Sequence, residues 1–293
     1  DDDPFLLFVS PHPPHFTPFE FAPAQYYEDL PTSFDLPGVE PGRWYDETQE
    51  MFRHYLAMIR AIDSMVGKVL DGLDERGLGD NTIVVLASDH GTQGGEQGVH
   101  PWLKKNPYEA SIRIPGLVRY PGMVPPGSTY DGLFGLPDVF PTLCGLAGIP
   151  VPRSVEGHDF SGALAGDPSR VAEQEALLLM NFSKYYDWFE DGAEWRGVRT
   201  KDATYCRWLD GRVELYDLVD DPLQQRNLAS DPAHANRVAD GEEILRAVQG
   251  QRGDELVPCT HWKPWLDEQR RVVRNAFGPL SHPESTPDWS LLH

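Results

Sequence analysis

The sequence predicts an α/β fold in which helices flank a mostly parallel sheet, followed by a smaller C-terminal subdomain with an antiparallel sheet and a helix. In the first part, two strand-sized apolar runs at 5–9 and 83–87 enclose a long helical pattern, an alternation typical of parallel sheets. In the later part, short β-like stretches follow one another with turn signals between them, which favours antiparallel pairing. A stretch rich in Gly, Pro, Ser and Ala separates the two parts, so we expect domains at 1–170 and 171–293.

The first strand and the long helix follow from the hydrophobic pattern. Residues 5–9, Phe-Leu-Leu-Phe-Val, form an apolar run of strand length that leads into a proline-rich loop. This loop lies at the carboxyl end of the predicted strand, the edge where ligands bind in open α/β sheets. Over 46–76, apolar residues recur at three- and four-residue steps with charges between them, and Gly77 follows. The spacing predicts an amphipathic helix that packs on the core.

The remaining elements are shorter. Three of them complete the first part: strands at 83–87 and near 114–120, and a helix near 136–147. The predicted strands of the subdomain lie at 176–180, 195–200, 204–209 and 213–218. Asp210 and Gly211, between the last two of these strands, are a hairpin signal, and a helix is predicted near 232–249.

Composition narrows the classes of partner. The chain has 25 basic and 46 acidic residues and a net charge of −21, which argues against nucleic acid because a phosphate-binding surface needs clustered Lys and Arg. No stretch approaches the ~18 apolar residues that a membrane helix needs. Cys144, Cys206 and Cys259 are too widely spaced for a zinc ribbon or a disulfide scaffold, which predicts buried free thiols. The chain starts without methionine or a signal-peptide pattern and is interpreted as a fragment or a processed product, with its localisation left open.

A candidate metal site follows the strand at 83–87. Asp89 and His90 stand side by side directly after this strand and before Gly91, where the backbone can turn sharply. A carboxylate and an imidazole in this position are suited to bind a divalent cation. The alternative is that Asp89 caps a turn beside an incidental histidine.

Two further positions suggest anion chemistry. Lys104 and Lys105 are adjacent, and one of them is suited to neutralise a substrate oxyanion while Glu109 holds the geometry; a solvated lysine pair is the alternative. His12 and His15 lie in a loop that four prolines stiffen, and rigidity suits a proton donor or an anion contact. A surface turn explains these histidines equally well.

The order and spacing of these segments resemble the type I, formylglycine-dependent sulfatases of the alkaline phosphatase superfamily. The resembling segments are the strand and histidine loop at 5–15, the strand ending in Asp-His at 81–91, the lysine segment at 104–115, the helix at 136–143 with Gly148 and Ile149, and the hairpin at 214–218 with Asp221, Pro222, Asn227 and Leu228. Together they cover nearly everything from Pro4 to about Asp231. The resemblance implies an alkaline phosphatase-like fold.

The resemblance also implies roles for matching residues. Asp89 and His90 would complete the site of a divalent metal, most simply Ca²⁺, with Mg²⁺ or Mn²⁺ as alternatives. Lys104, four residues before the tyrosine of its segment, would contact the sulfate. His15 would contact the sulfate or protonate the leaving oxygen. Lys105 and His12 match the motifs less well.

The family's nucleophile is missing from this sequence. It is a formylglycine made from Cys or Ser in a Cys/Ser-x-Pro/Ala-x-Arg motif, and no cysteine or serine here lies in such a motif. The family's Asp pair on the first strand and its Lys/His pair after the nucleophile are also absent, and Gln97 stands where many members have histidine. The resemblance therefore implies the C-terminal portion of a sulfatase, which would need the N-terminal half of the same protein and be inactive alone.

The predicted function is hydrolysis of a small-molecule or saccharide sulfate ester or a sulfamate. Two alternatives remain open. One is a phosphonate monoester or phosphodiester hydrolase of the same superfamily, since phosphoryl and sulfuryl groups are similar in size. The other is a non-catalytic paralogue, or a subunit that supplies half of a site.

Overall fold

The structure, a computed structural model, describes residues 3–15, 22–170, 174–183, 191–265, 267–268, 273–275 and 278–279. The helices are α1 (Tyr45–Asp74), α2 (Glu109–Ile112), α3 (Leu136–Ala147), α4 (Ser161–Leu164) and α5 (Ala235–Arg252). The strands are β1 (Val84–Ala87), β2 (Gly116–Arg119), β3 (Leu177–Asn181), β4 (Trp195–Arg199), β5 (Ala203–Trp208), β6 (Val213–Asp217), β7 (Arg274–Asn275) and β8 (Gly278–Pro279). Short 3₁₀ helices lie at Ala24–Tyr27, Gly79–Asn81, Glu96–Gly98, Pro168–Arg170, Pro232–His234 and Cys259–Trp265.

The long helix α1 confirms the prediction from the hydrophobic spacing. Asp46 and Glu47 lie in its first turn, where negative side chains interact favourably with the positive end of the helix dipole. Met51 and Met58 are buried on one face, two helical turns apart. Gly77 then has a left-handed φ of 64°, a conformation that cannot be part of a right-handed α-helix.

The strands β1 and β2 pair with each other in antiparallel register, Val84 opposite Arg119 and Ala87 opposite Gly116. All strand pairs that the described residues form are antiparallel, so the predicted mostly parallel sheet is not found in this part of the chain. The connection between β1 and β2 explains why. A parallel crossover is usually built around a helix, but residues 88–115 contain only turns, the short 3₁₀ helix Glu96–Gly98 and the single-turn α2.

The predicted first strand at 5–9 is wrong. The structure gives these residues no strand pairing, and they are exposed, with Leu6 91% and Phe8 86% accessible. A strand is stable only when its backbone N–H and C=O groups have a neighbouring strand to bond. None of the described segments supplies that neighbour, so an apolar composition alone does not produce a strand here.

The C-terminal sheet confirms the second half of the prediction. Strands β3, β4, β5 and β6 form an antiparallel meander in that order, and Gly211 makes the tight turn between β5 and β6 with a φ of 92°. Helix α5 packs on one face of the sheet through a core that consists of Val198, Tyr205, Leu215, Leu228 and Leu245. The domain boundary near 170 remains a proposal.

Two other features concern the whole described chain. The cysteines Cys144, Cys206 and Cys259 are free and buried, as predicted. Across the ranges that the structure describes, no helix combines the length and the apolar composition needed to cross a membrane.

Candidate functional site

The turn after β1 is tightly folded around Asp89 and His90. The His90 backbone N–H donates to Asp89 Oδ1 at 2.9 Å, and the Ser88 hydroxyl donates to the His90 carbonyl at 2.9 Å. Gly91 N–H donates to the Ser111 carbonyl at 2.8 Å, which attaches the turn to α2. A Cβ at Gly91 would collide with the Ala110 carbonyl oxygen, so this close approach requires glycine.

The His90 ring is held in one tautomer. Its Nδ1 lies 2.8 Å from the Gly91 carbonyl oxygen, and because a carbonyl only accepts, Nδ1 carries the hydrogen. In the neutral imidazole the lone pair is then on Nε2, which lies 3.4 Å from Asp89 Oδ2. The two side chains are 39% and 82% exposed, so both atoms are accessible from outside. This arrangement of an imidazole nitrogen and a carboxylate oxygen fits a divalent cation bound between them.

Lys104 lies within the electrostatic field of this turn. Burial lowers the pKa of the Lys104 ammonium, whereas the Asp89 carboxylate raises it. The structure therefore brings Lys104 near Asp89 although 14 residues separate them in the sequence. The Lys104 ammonium could attract an anionic ligand directly. The Asp89–His90 turn could hold the same ligand through a bound metal ion.

Lys105 has a different environment from Lys104. Its ammonium donates to the Ser183 carbonyl at 3.1 Å, and its own carbonyl accepts from the Trp195 indole N–H at 2.7 Å. Burial lowers the pKa of Lys105, and the neighbouring Lys104 charge lowers it further. Lys105 thus connects the lysine segment to the C-terminal sheet, whereas Lys104 is the lysine near Asp89.

His15 occupies a compact turn with His12. The two rings are 4.8 Å apart, and the His15 backbone N–H donates to the His12 carbonyl at 3.1 Å. Asp89 and His90 thus lie together and the Asp89 charge acts on Lys104, while the membership of Asp89, His90, Lys104 and His15 in one site remains a prediction.

Two residues without a signal in the sequence, Arg199 and Gln224, help to hold the lysine segment in place. Arg199 of β4 binds Glu109 with two hydrogen bonds, Nε to Oε1 at 3.2 Å and Nη2 to Oε2 at 3.1 Å. Gln224, buried and with a left-handed φ of 55°, accepts from the Glu109 N–H at 2.5 Å and donates to the Pro107 carbonyl at 3.4 Å. Gln97 donates to the Leu223 carbonyl at 2.8 Å. The C-terminal part therefore clamps the segment that bears Lys104.

Breaking this clamp is expected to destabilise the chain. Arg199→Met leaves the Glu109 carboxylate, 14% exposed, without its cation, and we expect a loss of about 2–3 kcal/mol of unfolding free energy. This is less than the roughly 3–5 kcal/mol for a fully buried pair, since both side chains keep some contact with water. Urea unfolding of Arg199→Met measures the loss. The matched control is Arg207→Met, which breaks the more exposed Arg207–Glu242 pair and should cost less than about 1 kcal/mol. Equal losses in the two variants would contradict the clamp.

A group of three potential metal ligands also lies within the described C-terminal part. Ligand atoms of Asp191, Glu194 and Cys259 are all within 4.8 Å of one another. Glu194 already accepts backbone N–H groups of 192, 193 and 259, and Asp191 accepts the N–H and hydroxyl of Thr260. Burial and then the Glu194 carboxylate raise the pKa of the Cys259 thiol, which disfavours the thiolate that metals bind. We interpret this group as a latch that fastens 259–260 to the loop before β4.

The chain has an alkaline phosphatase-like hydrolase fold, which structural neighbours confirm. Residues 1–149 match the family described as Sulfatase, and residues 95–251 match the one described as N-sulphoglucosamine sulphohydrolase, C-terminal. This chain belongs to the sulfatase family. Membership in this family points to a divalent metal without identifying the ion.

Individual relatives agree with this assignment. The ulvan-active sulfatase of Formosa agariphila is 37% identical over 260 residues, which cover 87% of this chain and 50% of that protein. The endo-4-O-sulfatase of Bacteroides thetaiotaomicron is 29% identical over 290 residues, covering 91% of this chain and 53% of that protein. The chain thus spans about half the length of these relatives.

Solved structures give the same fold. A protein in complex with its substrate D-glucosamine-2-N,6-O-disulfate aligns with a TM-score of 0.63 at 28% identity, over 73% of this chain and 43% of that one. The phosphonate monoester hydrolase of Agrobacterium radiobacter aligns with a TM-score of 0.64 over 81% of this chain and 46% of that one. Its identity of 21% makes this second likeness one of fold alone.

Proposed function

We propose that this chain carries part of the active site of a sulfuric ester hydrolase, with Asp89 and His90 as metal ligands and Lys104 as a sulfate contact. The observation that carries the proposal is that the Asp89 carboxylate raises the pKa of Lys104, so the two residues lie within electrostatic range of each other. Asp89 and His90, which follow the end of β1, would on their own be equally consistent with a capped turn. A lysine from another segment within electrostatic range of Asp89 makes an anion-binding site the better account.

In the proposed reaction these residues bind the sulfate group and stabilise its negative charge. As the S–O bond to the leaving group breaks, its electron pair goes to the departing oxygen, which His15 would protonate, and the Lys104 ammonium would stabilise the charge on the sulfate group at close range. His15 would hold a proton on its ring and deliver it to the leaving oxygen, or contact the sulfate directly. Asp89 and His90 would hold a divalent cation, which would supply Lewis-acid stabilisation of the sulfate group.

Calcium is the cation we propose, with Mg²⁺ or Mn²⁺ as alternatives. A carboxylate is a preferred ligand of all three ions. Ca²⁺ takes six to eight oxygen ligands, whereas Asp89 and His90 supply one carboxylate and one imidazole. We therefore expect weak metal binding by this chain alone and tighter binding when further ligands are contributed by another segment.

The substrate class is inferred from the relatives. Their names refer to ulvan, to endo-4-O-sulfatase activity and to a D-glucosamine disulfate substrate. We infer that the substrate here is a saccharide sulfate ester, or otherwise a small-molecule one. A phosphonate monoester or phosphodiester substrate is the second candidate, and it rests on fold likeness alone.

The test requires the nucleophile that the family uses. The 293-residue chain contains no Cys/Ser-x-Pro/Ala-x-Arg motif, so we expect it to hydrolyse neither aryl sulfate nor aryl phosphonate esters at a useful rate. Losing a nucleophile typically costs several orders of magnitude in turnover. The same chain joined to an N-terminal sulfatase segment bearing that motif, hereafter the joined polypeptide, should hydrolyse aryl sulfate with added Ca²⁺ or Mn²⁺.

Parallel assays of both esters on both polypeptides separate the alternatives. Faster turnover of the aryl phosphonate by the joined polypeptide would favour the second candidate. Robust turnover by the 293-residue chain alone would show that a nucleophile exists among its own residues. An inactive but correctly folded joined polypeptide would favour a non-catalytic chain.

A further inference from the structure

Gln93 is a fully buried glutamine in the segment that follows β1, and it is 0% exposed. Its amide oxygen accepts a hydrogen bond of 2.9 Å from the side-chain amide of Asn106. Its backbone N–H donates to the Leu103 carbonyl at 2.8 Å. Leu103 directly precedes Lys104, and Asn106 lies two residues after it. Gln93 therefore holds the lysine segment on both sides of Lys104.

The residues next to Gln93 strengthen this attachment. The Gly94 N–H donates to the Pro101 carbonyl at 2.9 Å, and the Thr92 hydroxyl donates to the same carbonyl at 3.0 Å. Residues 92–94 are thus bonded at several points to 101–106. Because 92–94 directly continue the turn that bears the proposed metal ligands, these bonds connect that turn to the lysine segment.

The side-chain bond of Gln93 is not explained by stability alone. The Gln93 amide nitrogen has no hydrogen-bond partner among the residues that the structure describes. A buried donor without a partner lowers stability, and an apolar side chain of similar length would avoid that cost. The bond to Asn106 is what an apolar side chain could not supply. Holding Asn106 is therefore the better reason for a glutamine at this position.

The place of Lys104 matters because a charged group stabilises reaction charge only from the correct position. Lysine has a long, flexible side chain, so its ammonium group explores a wide volume unless the backbone that carries it is held. Lys104 lies within electrostatic range of Asp89, whose carboxylate raises its pKa. Holding the backbone on both sides of Lys104 restricts where its ammonium can lie relative to that carboxylate.

We propose that Gln93 is a positioning residue, which keeps Lys104 at a fixed place relative to Asp89 through its hydrogen bond to Asn106. Gln93 is buried and acts only through Lys104, without contact to the sulfate. The inference rests on the proposed function for the role of Lys104 as a sulfate contact. The attachment itself belongs to the 293-residue chain and can be measured there.

NMR of the Lys104 side chain tests the attachment without metal or turnover. The Cε–Hε resonance of Lys104 is assigned with Lys104→Met, and its change in Asp89→Asn reports how strongly the Asp89 charge acts on it. We expect a clear change in the otherwise unaltered chain. With Gln93→Met also present, the change should be at least about twofold smaller, because methionine fills the space of glutamine but offers Asn106 no amide oxygen.

Two further variants separate positioning from a general loss of stability. Asn106→Leu removes the other partner of the same bond and should act as Gln93→Met does, with no added effect in the double variant. Gln249→Met is the matched control, because it removes one side-chain bond, to Asp254, from α5 on the C-terminal sheet. Urea unfolding measures the stability of each variant. If Gln93→Met does not fold, Asn106→Leu decides, since Asn106 is only partly buried.

Three outcomes of the NMR experiment would overturn the inference. They are an equal response of Lys104 to Asp89→Asn with and without Gln93→Met, no response in the otherwise unaltered chain, and equal reductions in Gln93→Met and Gln249→Met. A reduced response in Gln93→Met but not in Gln249→Met supports it.

The joined polypeptide separates this inference from the proposed function. Gln93→Met should lower its kcat for an aryl sulfate about tenfold and change KM less, as misplacement of a group that acts in the transition state does. The expected NMR result with an inactive joined polypeptide would contradict only the proposed function. An active joined polypeptide that keeps its full kcat in Gln93→Met would contradict only the positioning role.

Discussion

Lys104→Met in the joined polypeptide is expected to lower kcat for an aryl sulfate by about 10²–10³-fold, the usual cost of removing one group that stabilises transition-state charge. Methionine keeps the length and apolar stem of lysine but has no ammonium. Because Lys104 is proposed to stabilise charge on the sulfate in the transition state, the loss should fall on the chemical step. Steady-state kinetics with a saturating aryl sulfate measures it.

Two other lysines are the controls for this variant. Lys105→Met removes the contact to the Ser183 carbonyl and should lower stability more than kcat. Lys201→Met alters an exposed turn between β4 and β5 and should change neither. If Lys105→Met lowers kcat more than Lys104→Met does, the assignment of the sulfate contact is wrong and passes to Lys105.

Asp89→Ala in the joined polypeptide is expected to lower both metal affinity and turnover at least about 100-fold. Losing a residue that only orients a metal ligand typically costs about 10–100-fold, and Asp89 is proposed as a ligand itself. Removing its carboxylate also removes the hydrogen bond that the His90 N–H donates at 2.9 Å. Turnover measured across a titration of Ca²⁺ or Mn²⁺ gives both quantities.

The control for Asp89→Ala is Asp80→Ala. Asp80 is an exposed aspartate in the 3₁₀ turn before β1, at the opposite end of the strand from Asp89. Its loss should leave turnover and metal dependence unchanged. Wild-type turnover of Asp89→Ala at the same metal concentration would mean that the cation, if required, is held elsewhere.

The sequence predicted those elements whose signals are local. The 3.6-residue spacing of apolar side chains is sufficient for α1, and the Asp210 and Gly211 pair is sufficient for the β5–β6 turn. Pairing partners are not local, which is why the sequence failed at 5–9 and did not predict that β1 and β2 are antiparallel. An apolar run predicts burial, but only a neighbouring strand makes it part of a sheet.

The residues of the candidate site were likewise predictable only where their sequence signals are local. Asp89 and His90 could be found because they are adjacent and directly follow a strand, and the resemblance to sulfatases selected Lys104 over Lys105. Arg199 and Gln224 could not be found, since they lie 90 and 115 residues from Glu109 and only the folded chain brings them to it. Their side chains carry no sequence signal that separates them from ordinary surface residues.

Paramagnetic broadening by Mn²⁺ tests most directly whether Asp89, His90 and Lys104 form one cation and anion site. Backbone amide spectra of the 293-residue chain are recorded during a Mn²⁺ titration, with Asp89→Ala as the control. The predicted result is selective broadening of residues 88–91 and of Lys104 at the lowest Mn²⁺ concentrations, and its loss in Asp89→Ala. Broadening that begins instead at Asp191, Glu194 and Cys259, or that leaves residues 88–91 sharp, would contradict the site.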